Sequence, residues 1–335
     1  MKAAVAIAAA LLIPPAAGSA QTIEPVPQLP TQTAVQQQAQ PQAAESGRPT
    51  FRSAAALVSL NVTVQDGGAK FISGLQPTDF AVFEDGVKQD VRFFESAAVP
   101  VDLIVLIDTS ASMGDKMDVV HDAATGFLKT LRSGDRGAVV SFSDSVTVIQ
   151  PLTPDRESLE KAVRSTTAHG ATSLYNALYI SLKQFGQTAR ASDDVHRQAI
   201  VVLTDGEDTS SLVSFDDVLS LARKMGVNIY TVSLQSRWAA QRQAEQGGHH
   251  YFNDADYSMK MLARETGAQS FFAGPTELRG VYSTIATELA NQYSIGYVPM
   301  NPRSDGRFRR IVVQIITRPE LHPRTRQGYT AEGVR

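Results

Sequence analysis

Apolar and polar residues alternate along the first structured part of the chain. From 58 to 64, every second residue is apolar, which is the period of a strand with one buried face. Further strands are predicted at 80–84 and 91–94, joined through Asp85-Gly86, a pair that favours hairpin turns. We therefore predict a β segment over residues 51–98.

The pattern changes after residue 100. Continuous apolar runs such as 103–107 are typical of strands buried on both faces of a sheet. Between these runs, apolar residues recur at the spacing of amphipathic helices. The predicted strands are 103–107, 138–142, 146–150, 199–203, 227–234 and 269–272, and the predicted helices are 119–131, 159–164, 174–185, 218–225, 259–265 and 276–289. Strands alternating with helices predict an α/β fold with a doubly wound, mostly parallel sheet.

Strand patterns return near the end of the chain, at 294–298 and 310–316. We expect an α/β domain over 99–290, flanked by β segments at 51–98 and 291–335. Our interpretation is that the two β segments pair into one small β-sandwich into which the α/β block is inserted. Two separate small units are the alternative.

The N-terminus has the pattern of an export signal. Lys2 precedes an apolar run at 3–13, and small residues at 17–20 provide a cleavage site. The run is shorter than the roughly 20 residues that span a bilayer, although an uncleaved anchor remains the alternative. We predict a signal peptide over 1–20, a Pro/Gln/Ala-rich flexible linker over 21–50, and a mature chain that is periplasmic or secreted without a transmembrane span.

Composition narrows the classes of function. The 335-residue chain has a net charge of −3 and contains no cysteine. This charge gives no electrostatic reason to expect nucleic-acid binding. The missing cysteines exclude disulfides, thiolate metal ligands and cysteine nucleophiles.

Oxygen-bearing side chains stand where an open α/β sheet binds ligands, beyond the carboxyl ends of its strands. Asp108, Ser110 and Ser112 follow the first buried strand, Asp205 follows the strand at 199–203, and Thr172 precedes a predicted helix. Carboxylates and hydroxyls are hard donors that suit Mg²⁺, Mn²⁺ or Ca²⁺. Loop and helix capping without an ion is the alternative.

These five residues resemble, position for position, the metal-ion-dependent adhesion site of von Willebrand factor A-type domains. The resemblance covers about residues 101–289. The flanking segments resemble a bacterial subgroup, the VWFA-related acidobacterial type, through 75–86, 293–302 and Gly328-Tyr329.

The resemblance implies a ligand set. The two serines would bind the cation directly, Thr172 directly or through water, and the two aspartates mainly through waters. An open coordination position would accept an Asp or Glu side chain from an unidentified partner protein. The resemblance thus implies an adhesion or protein-binding module rather than an enzyme.

Two other functions stay open. A metal-dependent hydrolase is one, although the sequence lacks G-x-S-x-G, P-loop and HExxH motifs, and Ser110 stands where an Asp-x-Asp pair would need its second aspartate. A scaffold whose ion is purely structural is the other. We interpret His169 and the His249-His250 pair as loop residues rather than as a general base or metal ligands.

Overall fold

A computed structural model describes residues 57–96, 99–191, 196–234 and 254–331. The predicted signal peptide and linker, and the His249-His250 pair, lie outside the described residues. In chain order the strands are β1 (Val58–Gln65), β2 (Phe80–Glu84), β3 (Val87–Gln89), β4 (Val91–Ser96), β5 (Val101–Asp108), β6 (Arg136–Phe142), β7 (Val146–Thr153), β8 (Arg197–Thr204), β9 (Asn228–Leu234), β10 (Ser270–Ala273), β11 (Tyr293–Tyr297), β12 (Phe308–Ile315), β13 (His322–Arg324) and β14 (Gly328–Thr330). The α-helices are α1 (Met117–Leu128), α2 (Arg156–Arg164), α3 (Leu174–Ala191), α4 (Phe215–Met225), α5 (Asp254–Glu265) and α6 (Leu278–Ala290).

Six strands form a central sheet in the order β10-β9-β8-β5-β6-β7. All neighbours pair in parallel except β6 and the edge strand β7. Every residue of β5 is buried, as its continuous apolar run requires for a strand covered on both faces. The predicted α/β fold with a mostly parallel sheet is therefore confirmed.

Helices cover both faces of this sheet. Leu103, Val105 and Ile107 of β5 pack on one face with α1, α2 and α6. Ile104 and Leu106 of the same strand pack on the other face with α3, α4 and α5. The period-2 alternation of side chains along β5 thus divides the apolar residues between two cores.

The flanking segments contribute two four-stranded antiparallel sheets, β13-β1-β11-β4 and β14-β12-β2-β3. Both sheets share one hydrophobic core, in which the Phe80 ring lies 5.1 Å from the Tyr293 ring and 5.4 Å from the Phe94 ring. Strands from before and after the α/β block pair with each other, β1 with β11 and β2 with β12. The block is therefore inserted between two halves of a β-sandwich.

The block leaves and rejoins this sandwich at one place. Ser96, the last residue of β4, lies opposite Tyr293, the first residue of β11. Opposed residues of an antiparallel pair have Cα atoms about 5 Å apart. The two ends of the inserted segment are consequently held side by side.

One predicted connection is wrong. Asp85-Gly86 does form a two-residue hairpin turn, with φ of 48° and 83°, but it joins β2 to β3. The strand predicted at 91–94 is β4, which pairs with β11 in the other sheet. The sequence prediction missed β3 because three residues are too short to display an alternating pattern.

Candidate metal centre

The five predicted donor residues lie at the edge of the sheet where the parallel strands end. Asp108 is the last residue of β5, and Asp205 follows directly after β8. Ile107 of β5 pairs with Leu203 of β8, so the two strands end at the same level. Neighbouring parallel strands thereby bring two carboxylates, 97 positions apart in sequence, to one edge.

The Asp108 carboxylate is fully buried and held in one orientation. Its Oδ1 atom accepts the Ser110 amide at 2.8 Å, and its Oδ2 atom accepts the Thr204 hydroxyl at 2.6 Å. Burial raises the pKa of Asp108 above its usual value, whereas the hydrogen bonds from Thr204 and Ser110 act in the opposite direction. Thr204, whose hydroxyl fixes the carboxylate, was not singled out from the sequence.

Hydroxyl oxygens connect the Asp108 turn to Asp205. The Ser110 and Ser112 Oγ atoms lie 3.1 Å apart, and the Ser112 hydroxyl donates to Asp205 Oδ1 at 2.8 Å. Ser110 is buried, whereas Ser112 is exposed. The oxygen cluster therefore extends from buried residues to Ser112, which is exposed to solvent.

Thr172 enters from the loop between α2 and α3. Its backbone carbonyl accepts the amides of Thr209 and Ser210 at 2.9 and 3.1 Å, which ties it to the loop after β8. A Cβ placed on Gly206 would lie 3.9 Å from Thr172 Oγ1. The Thr172 hydroxyl thus lies beside the turn that carries Asp205.

Gly170, a glycine in the left-handed region, determines the path of the loop that leads to Thr172. Gly170 has a φ of +73°, and its carbonyl accepts the Ala111 amide at 3.0 Å. A Cβ at this position would lie 2.0 Å from Asp144 Oδ2, and Asp144 Oδ1 accepts the Ala171 amide at 2.7 Å. The loop can follow this path because residue 170 lacks a side chain.

Hydrogen bonds join the loop after β8 to the start of α3. Asn176 Oδ1 accepts the amides of Leu212 and Val213 at 3.1 and 3.2 Å. Asp208 Oδ1 accepts the Tyr175 amide at 3.2 Å and the Ser211 hydroxyl at 2.6 Å. Asp208 therefore orders the start of α3 and the loop.

Lys116 was not singled out from the sequence, yet its ammonium group reaches the cluster. Nζ donates to the Ser112 carbonyl at 2.9 Å and forms an ion pair with Asp205 Oδ2. The side chains of Lys116 and Asp205 are only 12% and 4% exposed. A weak signal was available, because Lys116 is four residues beyond Ser112 and three residues before the helix predicted at 119–131.

His169 lies near the cluster with both ring nitrogens engaged. Nε2 is 3.3 Å from the Ser143 hydroxyl, and Nδ1 is 3.0 Å from the Thr167 carbonyl. Its backbone amide donates to the Thr109 carbonyl at 2.6 Å. These contacts give His169 a part in holding its loop.

The donor chemistry fits a hard divalent cation. Among the described residues, no group of three or more His, Cys, Asp and Glu side chains is placed to hold a metal. The candidate set differs in kind, because it contains two carboxylates and three neutral hydroxyls. Mg²⁺ and Mn²⁺ accept such oxygen ligands and commonly retain several waters, so few carboxylates suffice.

Within the ranges that the structure covers, no helix is both long enough and apolar enough to cross a membrane.

A family model described as the von Willebrand factor type A domain matches residues 102–269, half of the 335-residue chain. The matched range contains all five candidate donors.

Among curated proteins, the chain is similar to an uncharacterized protein of Borreliella burgdorferi, with 26% identity over 145 residues, 40% of this chain and 41% of that one. A UPF0353 protein of Mycolicibacterium paratuberculosis is 26% identical over 215 residues, 60% of this chain and 63% of that one. Human inter-alpha-trypsin inhibitor heavy chain H6 is 24% identical over 269 residues, 70% of this chain and 19% of that one. The chain thus spans less than two thirds of each of these relatives.

The chain is also similar to many solved structures, among them the following two. The vWF domain of the type V pili tip protein Mfa5 from Porphyromonas gingivalis has 15% identity and a TM-score of 0.45, covering 56% of this chain and 94% of that chain. A von Willebrand factor type A structure from Catenulispora acidiphila has 16% identity and a TM-score of 0.46, covering 72% of this chain and 52% of that chain.

Proposed function

Because the chain belongs to the von Willebrand factor type A domain family, we propose that it is a metal-ion-dependent protein-binding module. It binds Mg²⁺ or Mn²⁺ at Asp108, Ser110, Ser112, Thr172 and Asp205, and through the ion it binds an Asp or Glu side chain of a partner protein. It acts outside the cytoplasm, in the periplasm or after secretion, as an adhesion module rather than as an enzyme.

One observation carries this proposal. The Asp205 carboxylate lies 2.8 Å from the Ser112 hydroxyl, which in turn lies 3.1 Å from the Ser110 hydroxyl beside Asp108. Oxygen donors from separate loops thus converge at an edge that is open to solvent at Ser112. Such a set suits a hard cation that keeps part of its coordination sphere for water or a ligand.

The five candidate donors contribute charge and oxygen ligands in different ways. Asp108 and Asp205 supply negative charge, whereas Ser110, Ser112 and Thr172 supply neutral oxygens. Because hydroxyls neutralise no charge, a bound ion at this set would remain a strong acceptor of a further carboxylate. Truncating a desolvated charged contact of this kind at a protein interface commonly costs about 2–5 kcal/mol.

The metal site is tested by thermal unfolding of the full chain in Mg²⁺, in Mn²⁺ and in chelator. A ligand that binds only the native state raises the melting temperature in proportion to the logarithm of its concentration. We expect this rise in the native chain and its loss in Asp108→Ala. The matched control is Asp90→Ala, whose carboxylate is 81% exposed and belongs to the sandwich, between β3 and β4. A melting curve that neither metal shifts would refute the site.

The adhesion step needs a separate test, because an ion with a purely structural role would also raise the melting temperature. Peptides that present Glu, each paired with a Gln counterpart, can be titrated against the Mn²⁺-loaded chain. We expect Glu peptides to bind in Mn²⁺ and to lose binding in chelator or on exchange of Glu for Gln. Equal binding of the two peptides in chelator would favour the scaffold.

Absence of catalysis and the place of action are tested independently. Turnover of phosphoester, ester or peptide substrates in Mg²⁺ that disappears in Asp108→Ala would restore the hydrolase alternative. Export rests on the pattern of the first 20 residues, which lie outside the described ranges. We expect the chain recovered from its native cells to begin after Ala20 and to lie in the envelope or medium, as the N-terminal mass would show.

A further inference from the structure

The ammonium group of Lys116 occupies the side of the candidate site that faces Asp205. Nζ pairs with Asp205 Oδ2 and donates to the Ser112 carbonyl at 2.9 Å. The side chain is 12% exposed, so most of it is withdrawn from water. A cation that belongs to the chain therefore lies against two of the residues assigned to the metal.

The position of Lys116 is unfavourable for its own helix. Lys116 is the N-cap of α1, and its side chain makes no capping hydrogen bond. Ser, Thr, Asp and Asn are the preferred residues at the N-cap of a helix. The N-terminus is also the positive end of the helix dipole, which disfavours a nearby cation. Residues that break local preferences are expected at functional or strained sites, and the ion pair that Lys116 makes here is with Asp205.

The charges of the cluster explain what the ion pair between Lys116 and Asp205 contributes. Asp108 and Asp205 bring two negative charges to one edge of the sheet, and the Lys116 ammonium neutralises one of them at contact distance. A divalent ion held by the same aspartate would lie within a few ångströms of the ammonium group, where like charges repel strongly in a partly buried site. Binding the ammonium group and a divalent ion at Asp205 at the same time therefore costs free energy.

We propose that Lys116 is a built-in competitor of the divalent cation, a tethered ammonium that pairs with Asp205 in the metal-free protein and is displaced when the ion binds. This inference rests on the proposed metal site and adds its regulation. Lys116 stabilises the empty site and lowers its affinity for metal. Metal binding releases the ammonium group into solvent beside the surface at which the partner carboxylate would dock.

The first test measures Mn²⁺ affinity by electron paramagnetic resonance titration of the native full chain and of Lys116→Met, an unbranched side chain one heavy atom shorter that carries no charge. We expect Lys116→Met to bind Mn²⁺ at least about tenfold more tightly, a change of about 1.4 kcal/mol. In chelator we expect it to melt at a lower temperature than the native chain. Lys129→Met is the control, because that lysine forms an ion pair with Glu160 and is 56% exposed.

The outcomes separate this inference from the proposed function. Equal or weaker Mn²⁺ binding by folded Lys116→Met, with binding retained in the native chain, would overturn the competitor and leave the metal site standing. Binding by Lys116→Met alone would support the competitor and refute metal dependence of the native chain. No binding by either folded protein would overturn both.

A second measurement does not depend on folding of a variant. Reductive methylation with ¹³C-formaldehyde labels lysine amines according to their accessibility. We expect labelling of Lys116 in the native chain to rise when Mg²⁺ or Mn²⁺ is added, whereas labelling of Lys129 stays constant. Unchanged labelling of Lys116 at saturating metal would show that the ammonium is not displaced and would overturn the proposal.

Discussion

The carboxylate of Glu288 forms an ion pair with Arg324 at 2.5 Å, and the Glu288 side chain is completely buried. Its Oε1 atom also accepts the hydroxyls of Tyr230 at 2.8 Å and Thr63 at 3.2 Å. Glu288 lies on α6 of the inserted block, Tyr230 on β9, and Thr63 and Arg324 on strands of the sandwich. One buried carboxylate thus connects the last helix of the block to the sandwich.

Glu288→Ala is expected to lower the free energy of unfolding by about 3–5 kcal/mol, because removing one member of a buried ion pair leaves the other charge without a partner. Urea denaturation measures the change. Glu95→Ala, which removes an exposed carboxylate, should change the free energy by less than about 0.5 kcal/mol. A loss below about 1 kcal/mol in Glu288→Ala would show that the pair contributes little.

Gly170→Ala should destabilise the protein, by about 1–3 kcal/mol for a side chain forced into the left-handed region. The clash with Asp144 adds to this cost. Metal affinity should fall as well, since the loop leading to Thr172 must shift. Gly126→Ala is a control of opposite sign, because Gly126 lies within α1 with nothing near its Cβ position and alanine favours helix by up to about 1 kcal/mol. A stable Gly170→Ala variant with native metal affinity would contradict the role of this glycine.

Asn176→Ala is expected to release the loop after β8, because the amides of Leu212 and Val213 lose their acceptor. Hydrogen exchange of residues 205–214 should accelerate, and the free energy of unfolding should fall by about 1–2 kcal/mol. Asn176→Asp retains an acceptor oxygen at the same place and should protect the loop. Similar exchange in the native chain and Asn176→Ala would show that other contacts hold the loop.

Thr204→Val tests the orientation of Asp108. Valine keeps the shape of threonine but removes the hydroxyl that donates to Asp108 Oδ2 at 2.6 Å. We expect a loss of about 1.5–3 kcal/mol, the range for hydrogen bonds to charged groups, together with weaker Mn²⁺ binding. Thr204→Ser should preserve both. The idea fails if Thr204→Val binds Mn²⁺ as tightly as the native chain.

Elements with strong local patterns were predictable from the sequence. The apolar runs that became β5, β8 and β9 require burial on both faces, and this requirement alone indicates a parallel sheet with helices on each side. Ser214 and Asp217, three residues apart, form a capping box at the start of α4, and Gly226 ends that helix at a φ of +69°. In these elements, residues close in sequence determine the structure.

Partners distant in sequence were harder to predict. The pairing of β4 with β11 joins residues about 200 positions apart, and no local pattern identifies such a partner. Strands β13 and β14 have only three residues each, too few to display a period.

The candidate site also contains some residues that a local motif predicts and others that only the folded arrangement brings together. Asp108, Ser110 and Ser112 occupy a short motif, and the structure brings them to Asp205. Thr204 and Lys116 contribute through contacts that depend on the folded arrangement of two loops. Lys116 alone left a trace in the sequence, as a cation three residues before the helix predicted at 119–131, near the end where an anion or a capping hydroxyl is preferred.

The adjacency of Ser96 and Tyr293 has a mechanical consequence. Tension applied to the described ends of the chain, near β1 and β14, reaches the sandwich first, because the inserted block begins and ends at two residues paired across one ladder. While that ladder holds, the pulling force passes through sandwich strands and the block is not stretched. The loops that carry the candidate site would then keep their shape while a load on the two ends of the described chain strains the sandwich strands.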